Sequence, residues 1–344
     1  TMLFNRNEID REEAIKRLDR LRVVWRGDAL ELTLLNYLGQ LYADNKNYLE
    51  ALRAWQDLVQ QFPESEVAIE VARKMAETFN YLYAEGGADS LTPLQALATF
   101  YEFRQLTPIG DAGDTMIQAL ADRLVGVDLL ERAAALLEHQ IKFRQEKLAR
   151  SKLGAKLALV YLLDKKPELA LEKLELTGFG QMPRELYVER QRLAAVAYSE
   201  NGEPARAIEM LSNDASREAD ALRLQLFWEM RNWPEAIDMG ERLLGSRSDV
   251  TAPLSALETE QLLQLSISYM FERNRVQLDY LRNYFEPLIE DGPNKDIFLF
   301  VTNPGAPLDP QQFSEVSGQI AQMESFMEIY RDKIREGGLS TVIN

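Results

Sequence analysis

Seven alanines constrain this chain more than any other feature. They stand at Ala14, Ala51, Ala96, Ala133, Ala170, Ala207 and Ala236, so the steps between them are 37, 45, 37, 37, 37 and 29 residues. Four residues after each come Leu18, Trp55, Phe100, Leu137, Leu174, Leu211 and Gly240. Residues four apart are neighbours on one helix face, so a small side chain recurs beside a large one on a helix. Recurrence at a fixed period of this size marks a fold made by stacking one supersecondary unit many times. Punctuation keeps the same phase. Pro93, Pro167 and Pro204 each precede an alanine by three residues. Proline is well tolerated at the first position of a helix, where its missing N–H costs nothing. Thr92-Pro93-Leu94-Gln95 has the order of a capping box.

The stretch "LLNYLGQLYADNKNYLEALRAWQDLVQQFPES", residues 34–65, shows one unit in full. Leu35, Leu38, Gly39 and Tyr42 share one face at helical spacing. Asp44-Asn45-Lys46-Asn47 is a polar turn. Ala51, Trp55, Leu58 and Val59 form a second stripe, and Pro63 ends it. Gly39 and Ala51 are small where two helices must approach, and Trp55 fills the groove beside them. This pattern resembles the tetratricopeptide repeat, W-x2-L-G-x2-Y followed by A-x3-F and P, with Leu35 in the Trp slot and Trp55 in the Phe slot. The resemblance implies an all-α, right-handed solenoid of about seven antiparallel helix hairpins with an atypical C-terminal cap. First-helix matches recur at Leu120, Ala121 and Leu124, at Leu157, Ala158 and Tyr161, at Ala194, Ala195 and Tyr198, and at Leu224 and Phe227. The 37-residue step is longer than the family's usual one, which implies lengthened helices or loops.

The expected organisation is residues 1–245 as repeats, 246–293 as a degenerate repeat, and 294–344 as a C-terminal loop and capping helix. Asn7 to Ala14 reads as a second helix whose first helix is missing, so the array is expected to continue upstream. Glu85-Gly86-Gly87-Ala88-Asp89-Ser90 reads as a loop inserted within one hairpin, either tolerated variation or a partner contact. After Gly245, Leu262, Leu265 and Tyr269 face inward on one helix and Leu278, Leu281 and Phe285 on the next. Ile297-Phe298-Leu299-Phe300-Val301 is open between buried loop, helical turn and short strand. Phe313, Val316, Ile320, Met323, Phe326, Met327, Tyr330 and Ile334 lie at the spacing of a last amphipathic helix, which caps the array or docks on another protein.

Composition narrows the function. Formal net charge is -16 and the sequence pI is about 4.8. With no basic stripe to neutralise phosphate, a nucleic-acid partner is not expected. No apolar run is long enough to span a membrane. Cysteine is absent, which removes thiolate chemistry and thiolate metal sites. The one histidine, His139, lies at the end of a second helix and is expected to be a filler rather than a catalyst. No P-loop, G-x-S-x-G, H-E-x-x-H or calcium-loop motif occurs. Gly178-Phe179-Gly180 is a loop between hairpins. Asp111 and Asp114 lie in an inter-repeat turn shaped by Gly110 and Gly113, where Asp114 is expected to cap the next helix rather than hold a cation. No catalytic residue, metal or cofactor is expected.

Stacked hairpins curve, and their first helices line the concave side. By the register, Asn36, Gln40, Gln118, Asp122, Arg192, Gln225 and Trp228 sit on that side, clear of the core. They are mostly amides and charges, suited to hydrogen-bonding an extended peptide or a helix laid in the groove. Taken singly, each also reads as a simply solvated side chain. Trp228 follows the inward Phe227, so its ring either offers an interface anchor or packs on the next hairpin. Trp55 and Trp233 belong to the core. The expected function is a non-catalytic scaffold that binds a protein or peptide; a structural spacer or self-assembly module of an envelope complex is the alternative. "VVWRGDALEL", "LTPIGDAGDTMIQALADRLVGVDLLERAA" and "ALVYLLDKKPELAL" also resemble the C-terminal repeat block of long exported bacterial proteins. That resemblance implies a fragment of a larger protein in the periplasm, with the cytoplasm as alternative.

Overall fold

The structure is a computed structural model. It describes residues 9–24, 29–108, 110–143, 146–247 and 251–303, with Arg331, Ile334 and Leu339. The described residues form sixteen α-helices and no strand. They are α1 (Arg11–Val24), α2 (Ala29–Asp44), α3 (Tyr48–Gln61), α4 (Glu66–Ala84), α5 (Pro93–Glu102), α6 (Asp111–Gly126), α7 (Leu130–Phe143) and α8 (Lys147–Leu163). There follow α9 (Pro167–Leu176), α10 (Arg184–Glu200), α11 (Pro204–Leu211), α12 (Arg217–Glu229), α13 (Trp233–Gly245), α14 (Ala256–Phe271), α15 (Arg275–Phe285) and α16 (Pro293–Val301). The chain divides into two compact units, residues 1–140 and 141–344. The first holds α1 to α6 and most of α7; the second holds α8 to α16. Each is an all-α stack of hairpins in solenoid fashion, with consecutive helices packed on one another. The step from Ala133 to Ala170 runs straight through the division, so the repeat period gives no sign of it.

All seven alanines are buried, and so is every residue four positions on, Gly240 included. A Cβ on Gly39 would lie 2.2 Å from Trp55 Nε1, so the indole occupies the space that the glycine leaves. Gly154 does the same for Thr177, whose Oγ1 would be 1.8 Å from an added Cβ. Close approach of helix axes is thus set by small residues on one helix and a filler on its neighbour.

The turn inside each hairpin repeats more faithfully than the sequence does. Lys46, Gly86, Asp128, Lys165, Gly202, Arg231 and Arg273 all have positive φ, and each stands two residues after the end of a first helix. In six of the hairpins the next N–H bonds back to a carbonyl five residues earlier, as in Lys166 N to Tyr161 O at 2.8 Å and Asn274 N to Tyr269 O at 2.9 Å. This is the Schellman ending of a helix. Only two of these seven positions are glycine, so the others hold a conformation that L side chains disfavour. Lys165→Gly and Arg273→Gly should each raise stability by about 0.5–1 kcal/mol, the relief of left-handed strain less the extra backbone entropy of glycine. Gly202→Ala should cost about 1 kcal/mol at the same place. Denaturant midpoints of the three variants check both signs.

The turn also extends the register. Each alanine slot lies five residues after the left-handed residue, except in the fourth and fifth helices, where the insertion intervenes. By this count Leu278 takes the slot in α15. The alanine pattern ends there because leucine replaces it. Leu278, Leu281 and Phe285 are buried, as are Leu262, Leu265 and Tyr269. The apolar run 297–301 is helical, within α16, which packs on α14. Of the expected last helix, Phe313 to Tyr330 lie outside the described residues; Ile334 is helical and buried. Residues 1–8 lie outside them as well.

Pro93, Pro167 and Pro204 each open a helix, and Thr92 and Gln95 form the expected capping box. Asp114 does not cap α6. Gly110 is the N-cap, with φ 94, and Asp114 sits one turn inside, where its Oδ1 accepts from Gln140 Nε2 at 2.7 Å. Gly113 is required because a Cβ there would meet Pro108 O at 2.0 Å. The insertion after α4 is not a free loop. Gly87 to Ser90 form a 3-10 turn with Gly87 and Ala88 buried, Gly87 lying against the Tyr81 ring. Asp89 accepts from Arg123 on α6. Trp233 is half-buried rather than central, and its ring stacks on the exposed Phe271 with centroids 4.4 Å apart.

Candidate functional site

In the first unit, the first helices α2 and α6 carry the candidate residues, and α4 is the first helix between them in the chain. Gln40 is exposed and Asn36, one turn earlier, is half-buried. Gln40 Nε2 donates to Asp44 Oδ1 at 2.9 Å. The Asn36 carbonyl accepts from Trp55 Nε1 at 3.4 Å, so the indole that fills the Gly39 gap also props the backbone of the candidate face. Gln118 and Asp122, one turn apart on α6, are half-buried and engaged in interactions. Equivalent positions on α4, counted back from the left-handed Gly86, hold Ala76, which is exposed, and Asn80, which is half-buried with its Nδ2 donating to Glu85 Oε1 at 2.7 Å. The first-helix side of this unit is therefore open, polar and lined in places by small residues.

The second unit differs. Arg192 on α10 is spent internally. Its Nε donates to Asp214 Oδ2 at 2.6 Å, Nη1 to Glu189 Oε2 at 3.3 Å and Nη2 to Ser216 Oγ at 2.8 Å. Burial acts to raise the pKa of Asp214, but donation from Arg192 and Ser216 outweighs it and holds the carboxyl below its ordinary value. Trp228 is half-buried and packs on the apolar cluster of α14 to α16, as the packing alternative requires. Gln225 Nε2 donates to Glu229 Oε1 at 2.9 Å along its own helix. Asn36 and Gln40 share α2, Gln118 and Asp122 share α6, and Gln225 and Trp228 share α12; Arg192 stands on α10.

Sequence reading missed the arginines that close helix ends. Arg190 on α10 is buried, donating through Nη1 to Ser151 O at 2.6 Å and Thr177 Oγ1 at 3.2 Å, and through Nη2 to the Leu174 carbonyl. Burial lowers its pKa to about 10. On α12, Arg223 reaches the carbonyls of Leu211 and Asp214, and Arg217 reaches Leu243 O at 2.7 Å. Each cation meets the negative end of a second helix, where dangling carbonyls need donors. The legible signal for Arg190 was its place between Leu186 and Ala194, four residues away on either side and both buried.

Among the described residues no group of three or more His, Asp or Glu side chains could hold a metal ion, and no helix is long and apolar enough to cross a membrane. His139 is exposed on α7. A shallow depression between two hairpin turns is lined by Lys165, Pro167, Glu168, Glu200, Asn201 and Glu203. Its carboxylates are partly neutralised, with Lys165 Nζ 3.5 Å from Glu200 Oε1. No curated protein matches the chain. A family model described as tetratricopeptide repeat matches residues 37–65, the hairpin of α2 and α3. Over residues 37–65 the chain is thus similar to the tetratricopeptide repeat, in agreement with the pattern of Leu35, Leu38, Gly39, Tyr42, Ala51 and Trp55.

Proposed function

We propose that the chain is a non-catalytic protein-interaction scaffold whose partner lies along the first helices of the first unit. Tetratricopeptide repeats generally mediate protein–protein interaction. One observation carries the finer reading: the side of α2, α4 and α6 that is clear of the core is open and polar, with Gln40 exposed. Its amides, with Asp122, can exchange hydrogen bonds with the main chain of an extended or helical segment, while Ala76 and Ala119 leave room for a backbone to approach. The acidic balance of the chain, -16, favours a basic or neutral partner. The wider reading places the chain in a larger exported bacterial protein, in the periplasm, with the cytoplasm as the competing compartment.

The second unit supports a different role. With Arg192 held by Asp214 and Ser216, and Trp228 packed on the next hairpin, it suits a spacer or self-assembly element. The test compares two paired variants in the full-length protein purified from its native cell. Asn36→Ala with Gln40→Ala should release the co-purifying protein while circular dichroism stays unchanged. Arg192→Glu with Trp228→Ala should leave capture intact. Retention of the partner by the first pair, or its loss only in the second, overturns the placement on the first unit.

A further inference from the structure

Residues 142–156 run against the charge of the chain. They hold Lys142, Arg144, Lys147, Arg150, Lys152 and Lys156 against one carboxylate, Glu146, in a chain whose net charge is -16. Lys147, Arg150 and Lys152 stand on the first two turns of α8, in the second unit. A helix start favours carboxylates, because its free N–H groups carry partial positive charge. The first helices α2, α4, α10, α12 and α14 follow that rule, with Glu31, Glu66, Glu185, Glu218 and Glu258 in their first turns. The first turn of α8 has no acidic residue; Lys147 opens the helix and Arg150 stands three residues on. Glu146, at the N-cap, makes no side-chain cap bond.

These cations are not neutralised within the fold. Lys147 is exposed, Arg150 and Lys152 are half-buried, and among the described residues no carboxylate bonds to any of the three. Arg190 adds a fourth. Its Nη1 reaches Ser151 O at 2.6 Å, one turn inside α8, and its bonds all end on carbonyl or hydroxyl oxygens, so this buried charge has no counter-ion either. Elsewhere the chain spends such cations. In the basic run from Lys16 to Arg22, Arg17 bonds to Glu13 at 2.6 Å and Arg22 to Asp57 at 3.0 Å. A cluster that opposes both its helix dipole and its own neighbours weakens the fold, and such local conflicts are expected where a chain binds something.

We propose that the N-terminal turns of α8 dock an acidic segment of a partner protein, with Lys147, Arg150 and Lys152 taking its carboxylates and Arg190 reinforcing the field behind them. A carboxylate there relieves both conflicts at once, since it meets the cations and the positive end of the helix. The size of the patch selects the partner. Two turns of helix extend about 11 Å, and the chain outside residues 142–156 carries the acidic surplus. A nucleic acid or an anionic membrane runs past such a patch onto like charge, whereas a short segment bearing Asp or Glu ends within it. A second copy brings a net charge of -16 with it, which opposes association. The surface lies at a helix start, not along the first-helix side proposed for the first unit, and it takes a partner of the opposite charge. Either proposal can fail without the other.

Fluorescence anisotropy on the full chain tests it. The probe is a labelled peptide of about twelve residues with glutamate at alternate positions, and its twin has glutamine in their place. At low salt the glutamate peptide should bind about tenfold more tightly than its twin, and added salt should remove the difference. Lys147→Glu with Arg150→Glu should weaken binding about thirtyfold or more. The same pair should melt no lower than the native chain, since it puts carboxylates where the helix start favours them. Lys16→Glu with Arg20→Glu changes net charge equally, at two exposed positions in the first unit, and should leave binding within about twofold. Equal binding of the two peptides overturns the proposal. So does an equal loss in both double variants, which makes the attraction one of net charge alone. A lower melting temperature in Lys147→Glu with Arg150→Glu makes these cations part of the fold and counts against it as well. A low-salt dimer of the native chain that this variant dissolves, or tighter binding of duplex DNA or phosphatidylglycerol vesicles through the same two residues, overturns the choice of a protein segment.

Discussion

Ala170→Trp should be the most damaging single change in the second unit, costing about 3 kcal/mol or more and lowering the melting temperature by about 6–12 °C. Ala170 is 0% exposed, on α9, where that helix meets its partner α8. An indole there has no groove to enter. The facing helix is buried along its length from Leu153 to Leu163, so no side chain on it can swing into solvent to make room. Interiors are packed as densely as organic crystals, and an added ring must push two helix axes apart. In a stack of hairpins, that displacement also breaks the nearest-neighbour interface with α10. Glu175→Trp on the same helix is the control. Glu175 is exposed, so the same ring should change stability by under about 0.5 kcal/mol. Equal melting of the two variants would show that the alanine phase is not what holds the hairpins together.

The sequence made the hairpins legible because their packing rule is local. A small residue, one helical turn, a large residue: that signal lies within five positions and survives in every unit up to Gly240. It also located the proline starts and the capping box at Thr92, since both act on their own helix. Features set by distant residues were not legible. The break between units falls inside α7 while the period continues unchanged. Asp114 has the composition of a helix cap, but Gly110 takes the cap because the backbone must turn there with φ 94. Glu85 to Ser90 has the composition of a loop, yet Ala88 is buried.

Spacing gave the candidate residues a helix and a phase but not their partners. It put Arg192 clear of the core, whereas the side chain is half-buried and bonded internally. Its commitment to Asp214 and Ser216 depends on the loop between α11 and α12, twenty-odd residues away, which no helical pattern encodes. Trp228 is similar. Its direction followed from Phe227, but whether it met solvent or the next hairpin rested on the cluster built by α14 to α16.

Trp55 and Gly39 should behave as one unit in the hairpin that matches the family. Trp55→Ala removes a side chain that is 2% exposed and should cost about 3–5 kcal/mol, because the surrounding helices cannot close over the space. It also removes the donor to the Asn36 carbonyl, so capture of a partner on α2 should weaken in step with stability. Gly39→Leu forces a side chain onto the indole, whose nearest atom lies 2.2 Å from the first added carbon. That change should cost about 1–3 kcal/mol or more while Trp55 is present. Combined, the two changes should cost less than the sum of the singles by about 1–2 kcal/mol, since the leucine then enters space the indole has left. Denaturation of the four proteins gives the coupling directly. Strict additivity would mean that glycine and tryptophan do not share that space, and the close approach of α2 and α3 would need another cause.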